Sequence, residues 1–196
     1  MNENDYAKTE MEQPVENKVK VKKSSIALEI SLYIAILLIC IFIVPKYVIQ
    51  RTVVDGDSMQ TTLMNNDNLM VEKVSYRFSN PSRFDVIVFY PYGKDYNEYY
   101  VKRIIGLPGE TVKIQGQDIY INGKKIKESY GSTDMDTAGI AADGIKLKDD
   151  EYFVLGDNRL VSKDSRYAEV GPVKKENIAG KVLFRIWPLD KIGTIQ

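Results

Sequence analysis

One long apolar run limits what this chain can fold into more than any other feature. Residues 26–44 form a 19-residue apolar stretch whose single charge, Glu29, lies near its start. As a helix rising about 1.5 Å per residue it would span roughly 28 Å, close to a bilayer core of about 30 Å. Glu29 would lie near the interface, where a charge costs less than at the centre. A transmembrane helix is therefore predicted, with a buried core helix as the alternative.

The flanks of this run predict how the chain is divided. Residues 1–24 are polar and lack apolar periodicity, which predicts a disordered tail. Lysines at positions 18, 20, 22 and 23 precede the run and predict a cytoplasmic N-terminus. Because residues 45–50 contain no small-x-small pair, we predict an uncleaved anchor over residues 25–45. Residues 46–196 would then form one domain outside the cytoplasm.

The remainder of the chain is predicted to be mainly β: an irregular antiparallel sheet or barrel-like domain behind one N-terminal transmembrane helix. Asn122-Gly123 is a strong signal for a two-residue hairpin between Asp118–Ile121 and Lys124–Ile126. Residues 128–150 are polar and glycine-containing, which predicts a long surface loop or an irregular insert. The predicted strands lie near residues 48–54, 69–76, 85–90, 99–105, 111–114, 119–121, 152–155 and 181–186.

Three features of the composition restrict the chemistry and the partners. The sequence has no histidine, so a Ser-His-Asp triad is excluded. Its one cysteine, Cys40, excludes an intrachain disulfide and a thiolate zinc site, although a carboxylate-only metal site stays open. Lysine plus arginine equals aspartate plus glutamate at 27 each, so no basic excess points to nucleic acid. Any nucleophilic enzyme built from this chain needs a base other than imidazole.

Three polar motifs could carry such chemistry. In residues 56–63 a glycine precedes Ser58 by two positions, which permits a bend that exposes the hydroxyl and aims backbone N–H groups. In residues 99–109, Lys102 lies in an apolar strand pattern beside Arg103, so one of these cations must face apolar surroundings unless the strand is an edge. Residues 156–166 pack hydroxyls, carboxylates and two arginines into a loop after a predicted buried strand. Taken singly, the first motif is more often an ordinary turn and the second more often a lysine that extends to water, and a solvated loop explains the third.

Taken in order behind an apolar run, these segments resemble type I signal peptidases, membrane serine proteases with a Ser/Lys dyad. The resemblance covers the apolar run and most of residues 45–188, and Asp85–Phe89 is similar to the strand that this family places between serine and lysine. It implies that Ser58 is the nucleophile and Lys102 the general base, with the Ser162 hydroxyl hydrogen-bonded to the lysine amine. It also implies an ion pair of Asp164 and Arg166 with Arg103 and Asp157 close by, and small substrate pockets lined by Met59, Leu63, Tyr100 and Val101.

The function implied by the resemblance is a membrane-bound endopeptidase without cofactor or metal. It would cleave N-terminal signal peptides from exported preproteins after a small-x-small motif. Its implied partners are secretory preproteins, the phospholipid membrane and, as a further candidate, the protein-export translocon, but not nucleic acid. A lysine with an ordinary pKa near 10.4 must lose roughly three units to act as base. We expect burial by Met59 and the face of Tyr100 and Ile104 to supply that shift.

The sequence departs from the family pattern at several positions. Thr61 stands where the family usually has proline, which loosens the turn after the nucleophile. Gly56 replaces a serine that helps form the oxyanion hole in some relatives, so backbone N–H groups, chiefly that of Ser58, would form the hole. A carboxylate near Lys102 would favour the ammonium form. We therefore expect Asp55 and Asp57 to point away from the cleft.

A tyrosine-rich segment and two alternative functions complete the sequence-based expectations. Five tyrosines fall within residues 90–100 and suggest contact with the outer leaflet, with ordinary hairpin packing as the alternative. The first alternative function is a self-cleaving Ser/Lys regulator with Ala138-Gly139 as target, although no DNA-binding module is recognisable. The second is an inactive membrane-tethered β-domain that only binds export partners.

Overall fold

The computed structural model describes residues 23–96 and 98–195, with side chains from residue 26 onward. Most of the predicted tail therefore lies outside the described residues. The chain divides into two compact units, with the boundary after Ile39. Helix α1 spans Lys23–Leu38, a π-helical turn covers Ile39–Ile43, and α2 spans Val44–Tyr47. The helical stretch Ile26–Tyr47 has a mean hydropathy of 2.8 over its most apolar window and is long enough to cross a membrane.

The second unit is built from two antiparallel sheets, as the mainly β prediction requires. The larger sheet has the order β1-β2-β11-β3-β4-β9-β10, with β12 also paired to β11, and the smaller has the order β7-β6-β5-β8. A short helix, α3, spans Ser75–Phe78. The strands are β1 Ile49–Val53, β2 Asn68–Glu72, β3 Val86–Phe89, β4 Tyr100–Gly106, β5 Thr111–Gln115, β6 Asp118–Ile121, β7 Lys124–Lys125, β8 Ile145–Lys146, β9 Glu151–Leu155, β10 Val173–Lys174, β11 Ile178–Trp187 and β12 Gly193–Thr194.

Burial on both faces of the larger sheet explains why its central strands are apolar without interruption. In β3, Val86 and Val88 belong to one core cluster, whereas Ile87 and Phe89 belong to another. Successive side chains of a strand point to opposite faces, so a strand covered on both sides needs apolar residues at every position. A third cluster lies between β9 and the smaller sheet. Strand β4, which carries Lys102 and Arg103, pairs with β3 on one side and β9 on the other.

Local chemistry defines several element boundaries. Asn122 and Gly123 both have positive φ, and Ile121 pairs with Lys124, so the predicted hairpin is confirmed. Strand β2 ends at Glu72, earlier than the predicted 69–76 strand, because the Glu72 carboxylate accepts hydrogen bonds from the N–H groups of Val74 and Ser75 and starts α3.

The segment predicted as a loop or insert contributes to the fold. Residues 139–141 form a 3₁₀ turn, and β8 pairs with β5. Met135 and Ala141 from this segment are buried in the core cluster beneath β9.

The tyrosine-rich segment packs largely against itself. The rings of Tyr90 and Tyr99 lie 4.6 Å apart, and those of Tyr92 and Tyr100 lie 6.2 Å apart. The hydroxyls of Tyr90 and Tyr99 are 3.1 Å apart. These contacts favour hairpin packing as the reason for the tyrosines, and contact with a membrane stays a prediction.

Candidate active site

Ser58 lies in the bend that follows β1. Gly56 has φ of 97°, a left-handed value that favours glycine, and its N–H donates to Asn65 Oδ1 at 3.1 Å. Ser58 is partly exposed, and its carbonyl accepts a hydrogen bond from the N–H of Asn158 at 3.1 Å. Within residues 23–96 and 98–195, the Ser58 N–H donates to no acceptor. The bend therefore presents both a hydroxyl and a free backbone donor.

Lys102 and Arg103 are adjacent on β4, and both are buried, at 3% and 0% exposure. Arg103 is neutralised by Asp157 through a bidentate pair, with Nε–Oδ1 at 2.9 Å and Nη2–Oδ2 at 2.7 Å. The amine nitrogen of Lys102, Nζ, instead lies 2.8 Å from Ser58 Oγ and 3.0 Å from the Val101 carbonyl oxygen. Among the described residues no carboxylate lies within 4.0 Å of Nζ. Only the arginine of this adjacent pair thus has a counter-ion.

Burial lowers the pKa of Lys102 from 10.5 to about 8, because desolvation penalises the ammonium. The negative charges of Asp164 and then Asp157 act in the opposite direction and raise it. The Tyr100 ring covers the amine, with its centroid 5.0 Å from Nζ. A buried lysine with a lowered pKa, in hydrogen-bond contact with a serine hydroxyl, is the arrangement that a Ser/Lys nucleophile requires.

The third motif, residues 156–166, contributes buried charged residues behind Ser58 and Lys102. Asp164 and Arg166 have no exposed side-chain surface and form an ion pair, with Nε–Oδ1 at 2.8 Å and Nη2–Oδ2 at 3.1 Å. Asp164 also accepts from the N–H of Gly156 at 3.0 Å. A Cβ on Gly156 would lie 2.2 Å from Ser162 Oγ and 2.4 Å from the Ser58 carbonyl. Glycine at position 156 therefore lets the loop lie directly against the serine bend.

Ser162 does not make the hydrogen bond that the resemblance implies. Its side chain is buried, and no partner within the described part of the chain lies in hydrogen-bond range of Oγ. The amine of Lys102 is directed to Ser58 and to the Val101 carbonyl instead. The hydroxyl is nevertheless placed next to the serine bend by the close approach at Gly156.

A cleft of about 760 Å³ opens onto the serine and the lysine. Of the four predicted pocket residues, Met59, Tyr100 and Val101 line it. Leu63 does not line it, and its side chain is fully buried in the core cluster that contains Leu69.

The two aspartates beside Ser58 also differ from expectation. Asp55 and Asp57 both line the cleft, whereas they were expected to point away from it. Both residues are exposed, and the Asp57 carboxylate accepts a hydrogen bond from Gln60 Nε2 at 2.6 Å. The carboxylates that act on the pKa of Lys102 are those of Asp164 and Asp157.

Sequence reasoning missed several residues around the site. Tyr99, Val161 and Lys163 line the cleft, and their places within the second and third motifs were the available signal. Tyr130 stacks on Arg103, with Cζ 3.7 Å from the ring centroid, and the Ser132 hydroxyl donates to the Gln60 carbonyl at 2.5 Å. The last two come from the 128–150 segment, which carried no pattern that indicated a role.

Comparisons with known proteins agree on one family. The family model described as signal peptidase, peptidase S26, matches residues 27–187. A probable signal peptidase I-2 of Synechocystis sp. is 37% identical over 76% of this chain and 68% of its own length. A signal peptidase I of Leptolyngbya laminosa is 39% identical over 76% of this chain and 74% of its own. A signal peptidase I P of Bacillus subtilis subsp. natto is 38% identical over 89% of this chain and 96% of its own. The chain therefore belongs to the signal peptidase family, peptidase S26, a family of serine proteases.

Proposed function

We propose that this chain is a membrane-bound endopeptidase that removes N-terminal signal peptides from exported preproteins, with Ser58 as nucleophile and Lys102 as general base. The observation that carries the proposal is the 2.8 Å contact between Lys102 Nζ and Ser58 Oγ, made by a buried lysine with a pKa lowered to about 8. Family membership favours this function over a self-cleaving regulator. The complete serine–lysine pair favours it over an inactive binding domain.

In the proposed reaction, neutral Lys102 takes the proton of Ser58 while Oγ attacks the scissile carbonyl. The oxyanion that develops would accept a hydrogen bond from the unengaged N–H of Ser58. Collapse of the tetrahedral species expels the amine of the mature protein, which takes the proton from Lys102, and leaves an acyl-enzyme. A water molecule deprotonated by the same lysine then releases the signal peptide.

The substrate is proposed to bind as an extended strand beside β1. Strand β1 is at the edge of the larger sheet, and Thr52 and Val53 at its end line the cleft. An edge strand offers main-chain hydrogen bonds to a peptide of varied sequence. Preference for small-x-small sequences would follow from the apolar cover that Met59 and Val101 place beside Ser58.

The proposed topology places residues 25–45 in the membrane as an uncleaved anchor. The lysine cluster before the helix supports a cytoplasmic N-terminus, so residues 46–196 would lie outside the cytoplasm. The apolar helical stretch Ile26–Tyr47 supports the anchor. Secretory preproteins and the phospholipid membrane are the proposed partners, with the export translocon as a further candidate.

Replacing either member of the pair tests the chemistry. We expect Ser58→Ala and Lys102→Ala to lower kcat/KM for a purified preprotein by on the order of a thousandfold or more, because each removes a group that reacts. Lys102→Arg should be equally inactive, since a guanidinium keeps the positive charge but does not give up its proton near neutral pH.

The matched control is Lys124→Ala, which removes an exposed lysine from the smaller sheet and should leave kcat/KM within about twofold. Thermal unfolding of each variant shows that the fold is retained. Cleavage at more than a tenth of the normal rate by folded Ser58→Ala or Lys102→Ala would rule out the proposed dyad.

A further inference from the structure

A second concave site lies beside the last turn of α2 and shares no lining residue with the catalytic cleft. Its volume is about 350 Å³, within the range of about 300–1,000 Å³ typical of small-molecule sites. Three of its lining residues, Lys73, Arg77 and Lys94, are cations. Among the described residues no carboxylate lines it. The positive charge of this lining favours binding of an anion.

Two of these cations are held against the end of the candidate membrane span. Lys73 Nζ lies 3.4 Å from the carbonyl of Pro45 and 3.3 Å from that of Lys46. Arg77 Nη2 donates to the Tyr47 carbonyl at 3.2 Å, and its guanidinium carbon lies 5.8 Å from the Tyr47 ring centroid. Capping the helix end uses only part of the donors of an ammonium and a guanidinium. The remaining N–H groups are available to a ligand.

The positive charge of this group is not neutralised by its neighbours. The Glu72 carboxylate caps α3, and that of Asp85 accepts from Lys181 at 2.7 Å and from Tyr76 at 2.8 Å. Within the described ranges, Lys73, Arg77 and Lys94 form no ion pair at 4.0 Å or less. Burial and then the charge of Arg77 lower the pKa of Lys73. A bound anion would relieve this repulsion.

We propose that this pocket binds the phosphate of an anionic phospholipid headgroup at the membrane surface, and the proposal rests on the membrane orientation given under Proposed function. A phosphodiester accepts several charge-assisted hydrogen bonds from lysine and arginine. Tyr47 and Lys46 end the apolar helix, and residues of these types mark the membrane–water interface. The position of the cations at the end of this helix selects a lipid over free phosphate, which shares the same chemistry.

The test uses the full-length protein in non-ionic detergent and measures binding of short-chain dihexanoyl lipids by calorimetry. We expect saturable binding of the phosphatidylglycerol and at least tenfold weaker binding of the phosphatidylcholine. The triple variant Lys73→Gln, Arg77→Gln, Lys94→Gln should weaken phosphatidylglycerol binding at least tenfold, because each cation contributes to attraction of an anionic headgroup. Lys94→Gln alone changes an exposed residue and should already weaken it severalfold.

The matched control is Lys124→Gln, Lys127→Gln, Lys146→Gln, which removes three exposed lysines from the region of the smaller sheet and should leave the affinity unchanged. An equal loss in this control, equal binding of phosphatidylcholine, or displacement of the lipid by equimolar inorganic phosphate would each overturn the proposal. Ser58→Ala should bind the lipid normally. Proteolysis and lipid binding are therefore measured separately. Failure of the proposed lipid site is then distinguishable from failure of the proposed Ser58–Lys102 dyad.

Discussion

At the scale of single residues, the contrast between Lys102 and Arg103 decides how the site can act. Both side chains are buried on one strand, yet Arg103 has two hydrogen bonds to Asp157 and Lys102 has a serine hydroxyl. A buried ammonium without a counter-ion loses its proton more readily than one in water. The lysine pKa of about 8 results from burial, partly opposed by Asp164 and Asp157. The nearby ion pairs thus limit how far the lysine pKa falls.

The pH dependence of catalysis follows from this pKa. Because the base must be neutral, we expect kcat/KM to rise about tenfold per pH unit up to about pH 8 and then to level off. Asp164→Asn should move the inflection to lower pH, since it removes the largest charge that raises the lysine pKa. The measurement is the pH profile of kcat/KM for each protein.

Asp118→Asn serves as the control for this profile, because Asp118 pairs with Lys125 on the smaller sheet. It should leave the inflection in place. A profile that is flat from pH 6 to 9, or an inflection moved to higher pH by Asp164→Asn, contradicts the assignment of Lys102.

At the scale of elements, the 128–150 segment is part of the support of the site. Glu128 pairs with Arg159, and Tyr130 stacks on Arg103. The N–H of Ile140 donates to the Arg166 carbonyl at 2.9 Å, and a Cβ on Gly139 would clash with that carbonyl. The segment therefore covers both buried ion pairs. Most of its polar residues are exposed, while Glu128 and Tyr130 contact buried arginines.

Loss of the stacking tyrosine should weaken the fold. We expect Tyr130→Ala to lower the free energy of unfolding by about 2 kcal/mol, because a desolvated cation–π contact and apolar surface are lost together. Chemical denaturation at pH 7 measures the change.

Tyr96→Ala is the matched control, since Tyr96 is 61% exposed, and it should change stability by less than about 0.5 kcal/mol. Equal effects of the two substitutions would show that Tyr130 contributes no more than an exposed tyrosine.

At the scale of the whole molecule, the proposed topology separates a polar N-terminal tail from the protease domain by one apolar helix. The chain has a single cysteine, Cys40, so Cys40→Ser gives a background suited to site-specific labelling. In this background, a cysteine introduced at position 8 or at position 124 reports on which side of the membrane that position lies. If the domain removes signal peptides as proposed, it faces the side on which preproteins emerge.

We expect Cys40→Ser with Lys124→Cys to react with a membrane-impermeant maleimide on intact cells. Cys40→Ser with Lys8→Cys should react only after permeabilisation, because the lysine cluster predicts a cytoplasmic N-terminus. Labelling is detected as an increase in the mass of each protein. The reverse pattern would place the protease domain in the cytoplasm and exclude cleavage of translocated preproteins.

The sequence by itself determined the features that depend on local pattern. Four features could be predicted: the apolar run, the central strands, the Asn122-Gly123 turn and the three motifs. Each depends on the local sequence, through the spacing of apolar residues, the residues of a turn or the residue types of a motif. Ser58 and Lys102 could be named as candidates for the same reason. The mainly β fold followed from these strands.

Only the tertiary structure decided which of these groups meet. The 2.8 Å approach of Lys102 to Ser58, the burial that lowers the lysine pKa and the core position of Leu63 depend on segments far apart in sequence. So does the lack of a hydrogen-bond partner for the Ser162 hydroxyl among the described residues. The cover by Tyr130 and the cation group beside α2 had no local signal. Desolvation and charge pairing are properties of the three-dimensional surroundings, and no pattern along one strand specifies them.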